Sequence, residues 1–417
     1  MPRLGVHAQP MSPPAPLPAL PPEQPPTEQL PTRPLEVRLG VVETALPVVQ
    51  PRTDPGASPL SVVDQVRVAL QTSYYLPVSD DVLSQPFVFQ IIEALGDPYT
   101  DYLSAAEYEE LRSEINSTTY PGVGLLVGPS DRGLTVTSAL KGPARKAGVR
   151  PGDIILAVDG KGVQELPFER AISLFRGEQG TVVRLTITRP DERRKWRVEV
   201  TRKEIELPPI RARLHESDRG IIGYLRVLSF SRGVGDQLRD AVGQLLDEGA
   251  QGFVLDLRGN PGGLLDEAID VASAFLERGV VLTTSSSHGT EQVYEAAGNA
   301  IAAEVPVVVL VDSLSASAAE IVAAALADNF SATVVGQQTF GKASVQSLVP
   351  LSNGDALRLT TSSYVTPTGA HIAGRGIEPS IEARDDFTTK RDEGLRAAKK
   401  ALFDIIDQRA RPDAVAF

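Results

Sequence analysis

The sequence GFVLDLRGNPGG, residues 252–263, passes from an apolar strand pattern through a glycine-rich loop into the helical pattern LLDEAIDVASAFLERG. The same succession of strand and helix recurs from Ile205 to about Asp385, with VPVVVLVD as another strand and SASAAEIVAAALAD as another helix. Apolar, β-branched strands that alternate with helices are typical of a layered α/β core. We therefore predict an α/β fold for this part of the chain.

Three other patterns precede this core. Residues 10–57 are rich in proline, so this segment should remain extended and disordered. From Pro59 to about Asn116, apolar residues recur at spacings of three and four and predict helices. From Gly122 to about Lys203, short apolar strands alternate with glycines and predict a compact β-rich module.

These patterns divide the chain into five parts. The tail TTKRDEGLRAAKKALFDIID is amphipathic and predicts a last helix that packs on the core. In chain order we predict a disordered segment, a helical segment, a β-rich domain, the α/β core and a C-terminal helix, at residues 1–57, 58–118, 119–204, 205–385 and 386–417.

Composition excludes several kinds of function. The net charge of −12 argues against a nucleic-acid partner, which would need a basic surface. The absence of cysteine excludes disulfides, zinc–thiolate sites and cysteine nucleophiles. No apolar run reaches 18 residues, so no membrane span is predicted. Only four histidines are present, and none lies in a motif that suggests a catalytic base.

Ser317 stands where small residues precede the apolar helix of SLSASAAEIVAAALADN, residues 313–329. One interpretation is a helix cap, because Ser317 and Glu320 have the spacing of a capping box. The other is a nucleophile, because the positive end of a helix dipole stabilises a developing anion. The two interpretations are compatible, so this stretch alone leaves both open.

A serine nucleophile needs a base within hydrogen-bond reach, and Lys342 in QQTFGKASVQSLVPL is the candidate. If this stretch is a strand, Lys342 and Gln346 share one face, and Gln346 could orient the amine. Burial would keep the amine neutral. The alternative is a solvent-exposed lysine on a strand edge, which is the commoner environment of lysine.

The pair SASAAEI and TFGKASVQ resembles the C-terminal processing peptidases, also called tail-specific proteases. GDPYTDYLSAAEYEEL is similar to the N-terminal helical segment of that family, and GPARKAGVRPGDIILAVDGK is similar to part of a permuted PDZ domain. The resemblance spans about Ser58 to Asp385. It implies a layered, mixed-sheet, crotonase-like peptidase core with an inserted PDZ domain and an N-terminal helical segment.

The resemblance also implies the site. The protein would be a serine endopeptidase that works through an acyl-enzyme, with a Ser–Lys dyad and a glutamine as third member at Ser317, Lys342 and Gln346. The oxyanion would be held by two backbone N–H groups, that of Ala318 and that of Gly263 in the glycine-rich loop, with Gly262 as the alternative to Gly263. No metal or cofactor is implied.

The PDZ-like module would capture free C-terminal tails of protein or peptide substrates, with apolar last residues. The resemblance places its peptide-pairing edge at Val123, Gly124 and Leu125. Arg176, in FRGEQG, would couple tail capture to the dyad; the alternative is a solvated turn arginine.

Three other functions fit these residues less well. The main alternative is a catalytically silent PDZ-type adaptor, against which the presence of both Ser317 and Lys342 argues. A trypsin-like peptidase is disfavoured because Pro261 stands where its serine should be. A crotonase-like acyl-CoA enzyme is disfavoured by the PDZ-like insertion and by Lys342.

The resemblance implies a location outside the cytoplasm, in the periplasm or cell envelope. The sequence does not fix the oligomeric state, but the N-terminal helices and the last helix could mediate a homodimer. No apolar signal segment follows Met1, but Val6-His7-Ala8 followed by Gln9 resembles the end of one and predicts a start upstream. A chance tripeptide is the alternative.

Overall fold

The computed structural model describes residues 60–410, apart from residues 117–118, 131, 167–170, 173, 176, 190–191, 207–208, 290 and 386–390. The predicted disordered segment 1–57 and the predicted coupling residue Arg176 therefore lie outside the described residues. None of the described helices is long and apolar enough to cross a membrane.

The N-terminal segment is helical, as predicted. Its elements are α1 (Val62–Ser73), α2 (Asp80–Leu83), α3 (Val88–Leu95), β1 (Asp101–Leu103) and α4 (Ala105–Asn116). A capping box begins α4, where the Ser104 N–H donates to the Glu107 carboxylate at 2.9 Å. The strand β1 interrupts the predicted helical segment and directly follows the loop that joins α3 to it.

The β-rich module follows as a domain of small strands. Its elements are β2 (Thr119–Gly122), β3 (Leu125–Ser130), β4 (Gly133–Ala139), α5 (Pro143–Lys146), β5 (Ile154–Val158), β6 (Lys161–Gly162), β7 (Val182–Arg189), β8 (Glu192–Thr201) and β9 (Lys203–Glu206). Five strands pair in the order β3-β4-β5-β7-β8, and β6 pairs with β5. The strands β2 and β9 pair with each other. Fully buried Val136, Ile155 and Leu185 form part of its interior.

The core is built from two sheets and four helices. Its elements are β10 (Ile210–Ser217), β11 (Gly220–Val227), α6 (Val234–Asp247), β12 (Phe253–Asp256), α7 (Leu265–Ser273), β13 (Val280–Ser285), β14 (Gln292–Glu295), β15 (Val307–Val311), α8 (Ala318–Phe330), β16 (Thr333–Gly336), β17 (Ser344–Pro350), β18 (Ala356–Val365), β19 (Ile381–Glu382) and α9 (Glu393–Arg409).

The central sheet has the strand order β10-β11-β12-β15-β16-β19, and every neighbouring pair after β10-β11 is parallel. The second sheet is antiparallel, in the order β1-β18-β13-β14 with β17 also on β18. Helices α6, α7 and α8 pack between the sheets, and α9 covers the other face of the central sheet. This mixed α/β architecture, with a β-rich domain and a helical N-terminal segment, confirms the predicted fold class.

Two junctions of this architecture position the site. The loops after β12 and β15 leave the same edge of the central sheet, because parallel neighbouring strands end together. The strand β1 pairs with β18, so the N-terminal helical segment is joined to the second sheet. The stretch around Lys342 differs from the prediction, because β17 begins only at Ser344 and Lys342 lies in the preceding loop.

Candidate active site

Ser317 ends the loop after β15 and immediately precedes α8. Its backbone has φ 53° and ψ −116°, a sparsely populated conformation for a residue with a side chain. Only Asp159 and Ser331 share a positive φ among the non-glycine residues that the structure describes. Such strain persists only where surrounding contacts impose it, and it is concentrated at functional sites. The turn projects Ser317 at the N-terminal end of the helix.

Glu320, one turn into α8, joins Ser317 to the loop that carries Lys342. It is fully buried. Its Oε2 accepts the N–H of Ser317 and the N–H of Lys342, both at 2.9 Å. Its Oε1 accepts the Thr339 hydroxyl at 2.6 Å and the Gly341 N–H at 2.7 Å. One carboxylate therefore fixes the backbone positions of both residues, beyond the capping role that the sequence predicted.

Tyr364, on β18, makes a second connection between the same two residues. Its hydroxyl donates to the Lys342 carbonyl oxygen at 2.6 Å and lies 3.3 Å from the Ser317 carbonyl oxygen. The tyrosine side chain is buried, and burial raises its pKa well above the usual value. It therefore remains a neutral donor, and it contacts the backbone of both loops in addition to Glu320.

The Lys342 side chain is 2% exposed. The pKa of its amine is lowered from 10.5 to about 7, mainly by burial and also by the positive charge of Arg358. The carboxylates of Asp97 and Glu320 act in the opposite direction. An amine with this pKa is largely neutral in slightly alkaline solution, which is the state that a general base requires.

Gln346 is buried on β17, where it lies opposite Thr360 of β18. Its side-chain amide donates to the Ser344 hydroxyl at 2.9 Å and lies 3.4 Å from the Thr360 hydroxyl. The hydrogen bonds of the described residues include none between Gln346 and Lys342. The structure thus places Gln346 two residues into the strand that follows the lysine loop, in contact with that strand's own first residue.

The glycine-rich loop after β12 lies against Ser317. A Cβ atom at Gly262 would stand 2.9 Å from the Ser317 Cβ and 3.1 Å from the Ala318 nitrogen. The Ala316 N–H donates to the Asn260 carbonyl at 3.0 Å, which joins the two loops. Only a residue without a side chain fits at Gly262, whose φ of 107° also favours glycine.

The same loop distinguishes the two glycines that the sequence left open. The Gly262 N–H donates to the Asn260 side chain at 2.8 Å, so it is already engaged. Gly263 lies opposite Phe230 in an isolated β-bridge, but its own N–H does not take part. The two hydrogen bonds of the bridge run from the Phe230 N–H to the Gly262 carbonyl and from the Leu264 N–H to the Phe230 carbonyl. Within the described part of the chain, the N–H groups of Gly263 and Ala318 have no hydrogen-bond partner. This geometry favours the Gly263 N–H over the Gly262 N–H as a hydrogen-bond donor to an anion.

An ion cluster around the buried Asp256 and Arg258 anchors the start of the glycine-rich loop. Arg258 makes salt bridges to Asp256 at 2.7 Å, to Asp385 at 2.7 Å and to Asp392 at 2.9 Å. Asp256 is fully buried and also accepts the Tyr224 hydroxyl at 2.7 Å. Burial alone would raise the Asp256 pKa, but Arg258 lowers it and keeps the carboxylate ionised. The cluster ties the start of the glycine-rich loop to the C-terminal helix α9.

Comparisons with known proteins follow the same division of the chain. Residues 221–383 match peptidase family S41, and residues 135–189 match a PDZ domain. The carboxy-terminal processing protease CtpA of Bacillus subtilis (strain 168) is 32% identical over 330 residues, which cover 79% of this chain and 70% of that protein. The carboxy-terminal-processing protease of Bartonella bacilliformis is 36% identical over 327 residues, covering 77% of this chain and 74% of that protein.

The chain belongs to the C-terminal processing peptidases of family S41. It is therefore a serine-type peptidase with a PDZ domain. Among solved structures, the photosystem II D1 C-terminal processing protease has a TM-score of 0.64 and 26% identity, covering 82% of this chain and 96% of that chain. A putative S41 protease from Bacteroides fragilis shares the fold, with a TM-score of 0.55 at 19% identity.

In this C-terminal processing peptidase, the predicted peptide-pairing edge of the PDZ domain consists of Val123, Gly124 and Leu125. Val123 is buried in the PDZ interior, and its carbonyl accepts the Ala144 N–H at 3.0 Å. Gly124 has a φ of 78°, and its carbonyl accepts the Leu140 N–H at 2.9 Å. Leu125 begins β3 and packs partly against the same interior. The three residues therefore form the fixed entry to the first strand of the PDZ sheet.

The candidate site also contains two residues near Lys342 that sequence reasoning missed. The Lys342 amine lies 5.2 Å from the centre of the Tyr99 ring, and Asp97 is close enough to influence the lysine pKa. Both belong to the loop before β1, in the GDPYTDY stretch. No local pattern pairs that stretch with the lysine loop; only the β1–β18 register brings them together.

Proposed function

We propose that this peptidase binds the C-terminal tail of protein substrates through its PDZ domain and cleaves peptide bonds with a Ser317–Lys342 dyad. The observation that carries the proposal is the Glu320 carboxylate, which accepts hydrogen bonds from the N–H groups of both Ser317 and Lys342. A lysine that is buried in this position, with a pKa near 7, is a suitable base for the neighbouring serine.

The reaction follows from these positions. The neutral Lys342 amine accepts the proton of the Ser317 hydroxyl, and the Ser317 oxygen attacks the substrate carbonyl. The N–H groups of Gly263 and Ala318 bind the oxyanion, each worth about 3 kcal/mol of transition-state stabilisation in comparable sites. The Lys342 ammonium then protonates the leaving amine, and the acyl-enzyme forms. Water then hydrolyses the acyl-enzyme, with Lys342 again as base. Gln346 is the third member of the site, and it supports the lysine loop through its hydrogen bond to Ser344, the first residue of β17.

Tail capture is assigned to the PDZ edge at Val123, Gly124 and Leu125, where an extended peptide would add to β3. The far end of this strand reaches the peptidase core, since a Cβ at Gly128 would lie 3.0 Å from the Leu314 side chain. Leu314 is in the loop that leads to Ser317. A peptide paired with β3 would therefore be held next to the nucleophile loop. We propose apolar last residues for the tail, and Arg176 as a link between capture and cleavage.

We further propose that the protein works outside the cytoplasm and forms a homodimer through its terminal helices. One relative, from Arabidopsis thaliana, is named a chloroplastic carboxyl-terminal-processing peptidase. For the dimer, the exposed and mutually stacked Phe87 and Phe89 at α3 supply apolar surface. Sedimentation of the wild type against a Phe87→Ser, Phe89→Ser variant tests the dimer, and an unchanged sedimentation coefficient would reject these helices as its interface.

The tail dependence gives a test that separates the peptidase from a silent adaptor. We expect a protein substrate with a free apolar C-terminus to be cleaved about 10-fold or more efficiently than its C-terminally amidated copy, because the amide lacks the charge for charge-assisted hydrogen bonds. The measurement is kcat/KM by mass spectrometry, with binding measured on a Ser317→Ala variant so that the substrate survives. The exposed Ser313→Ala serves as the control.

The outcomes are distinct. Binding of the free tail without cleavage by the wild type would indicate the adaptor. Equal cleavage of both substrates would reject tail capture but leave the peptidase intact. Cleavage by the Ser317→Ala variant at the rate of Ser313→Ala would remove Ser317 from the mechanism.

A pH dependence follows from the Lys342 pKa. Below that pKa the amine carries a proton and cannot accept another, so kcat/KM should fall as the pH drops through about 7. Above it the amine is neutral and the rate should reach a plateau. Rates on a fluorogenic peptide between pH 5.5 and 9 measure this. A rate that still rises tenfold per pH unit up to pH 9 would mean that the base is an ordinary, solvated lysine.

A further inference from the structure

The loop Asp97–Thr100, from the N-terminal helical segment, forms one wall of the Lys342 environment. The Tyr99 ring centre lies 5.2 Å from the lysine amine. This is within the distance at which an aromatic face attracts a cation. The loop continues directly into β1, whose Asp101 pairs with Arg358 of β18. An element of the N-terminal segment, outside the S41-matched residues 221–383, therefore reaches the proposed base.

The loop is fixed by its own side chains and by β18. The Asp97 carboxylate accepts the Tyr99 N–H at 3.0 Å and the Thr100 hydroxyl at 2.7 Å. The Thr100 oxygen in turn accepts the Thr360 N–H at 3.1 Å. The Thr360 carbonyl accepts the Tyr75 N–H, also at 3.1 Å. Two parts of the N-terminal segment thus hold the one residue that lies opposite Gln346 in the β17–β18 pair.

Charged and titratable groups from several elements lie near the Lys342 amine. Glu320 of α8 and Asp97 of the loop favour the charged amine, and Arg358 of β18 disfavours it. The pKa of Tyr99 is raised to about 12, mainly by burial and also by the negative charges of Asp97 and Glu320. Tyr364 is neutral for the same reason. Both phenols therefore remain uncharged while the lysine titrates.

We propose that Asp97 and Tyr99 are positioning residues for the base: Tyr99 covers the Lys342 amine and excludes water from it, and Asp97 holds the loop in place and supplies a compensating negative charge. The proposal rests on the function proposed above, because it assigns a role through Lys342. In this account the N-terminal helical segment completes the active site rather than serving only as a scaffold or an assembly surface.

The two residues should shift the Lys342 pKa in opposite directions. This difference distinguishes residues that position the base from residues that only support the fold. Loss of the Asp97 charge removes a group that favours the ammonium, so the Lys342 pKa should fall. Loss of the Tyr99 ring admits water to the amine and also removes the attraction between the ring and the ammonium. Because desolvation is the largest cause of the low lysine pKa, its relief outweighs the lost attraction and the pKa should rise. General loosening of the loop would move both variants in the same direction.

The experiment measures covalent labelling of Ser317 by a fluorophosphonate probe as a function of pH, which needs no peptide substrate. The serine oxygen bonds to phosphorus, fluoride leaves, and the proton passes to the base. We expect the midpoint of the acid limb to shift down by about one pH unit in Asp97→Asn and up by a similar amount in Tyr99→Ala. Tyr99→Phe, which keeps the ring, should restore the wild-type midpoint, and the exposed Glu93→Gln on α3 is the matched charge control.

The possible results are each decisive. The dyad requires that labelling of the wild type falls at acid pH and that this pH dependence is absent in a Lys342→Met variant. If either result is not seen, the proposed dyad fails and this inference fails with it. If the limb depends on Lys342 but neither Asp97→Asn nor Tyr99→Ala moves its midpoint, the dyad stands and this inference is overturned. The same holds if both variants move it in one direction. If Asp97→Asn does not fold, the comparison of Tyr99→Ala with Tyr99→Phe still decides.

Discussion

Lys342→Met should lose peptidase activity by about 10⁴-fold and, at pH 7, gain about 4 kcal/mol in the free energy of unfolding. The loss follows because methionine cannot accept the Ser317 proton. The gain follows because the unfolded chain carries a charged lysine with a pKa near 10.5, whereas the folded protein holds the amine at a pKa of about 7. Methionine fills a similar volume without a charge to desolvate.

The sign of the stability change can be followed with pH. Between pH 7 and 10.5 the unfolded lysine binds more protons than the folded one, so the wild type becomes more stable as the pH rises. The advantage of Lys342→Met should therefore be largest below pH 7 and vanish near pH 10.5. Urea unfolding at pH 6.5, 8 and 9.5 measures it, with the exposed Lys161→Met as control. A Lys342→Met protein less stable than wild type at pH 7 would contradict the account of this site.

Glu320→Ala should lose activity to a similar extent but change stability in the opposite direction. The substitution removes the acceptor of three backbone N–H groups, from Ser317, Gly341 and Lys342, and of the Thr339 hydroxyl. Each buried donor left without a partner costs about 1–3 kcal/mol, so we expect a loss of roughly 5 kcal/mol in the free energy of unfolding. The strained turn at Ser317 also loses one of the contacts that impose it.

Two variants sharpen this prediction. Glu320→Gln keeps one acceptor oxygen and should fall between the wild type and Glu320→Ala in both stability and kcat/KM. Glu107→Ala removes the carboxylate of the other capping box, at the exposed start of α4, and should cost only about 1 kcal/mol. If Glu320→Ala cost no more than Glu107→Ala, the carboxylate would be an ordinary helix cap, and the link between the two loops would carry little energy.

The α/β alternation, the capping box at Ser104 and the strand–loop–helix order around the glycine-rich loop were predictable, because they depend on neighbouring residues. The conformation of Lys342 was not. The lysine loop does not extend into a strand, because Gly341 has a φ of 89° and the amides of Gly341 and Lys342 donate to Glu320 instead of to a neighbouring strand. That carboxylate lies on a different element, so no local pattern shows it.

Local sequence patterns also could not assign the oxyanion donors or the residues that lie next to Lys342. The sequence left Gly262 and Gly263 as alternative oxyanion donors, and only the Asn260 side chain, which takes the Gly262 N–H, distinguishes them. Tyr99 and Asp97 meet Lys342 because β1 pairs with β18, although these strands are far apart in the sequence. Such contacts are set by tertiary register, which spacing along the chain does not encode.

A neutral amine on Lys342 is the central claim, and an NMR titration of that amine tests it most directly. In protein with ¹³C-labelled lysine, the signal of the Lys342 Cε is the one that disappears in Lys342→Met. We predict that its chemical shift titrates with a midpoint of about 7. A midpoint near 10.4, the value of a solvated lysine, would show that the amine is charged at working pH and cannot activate Ser317.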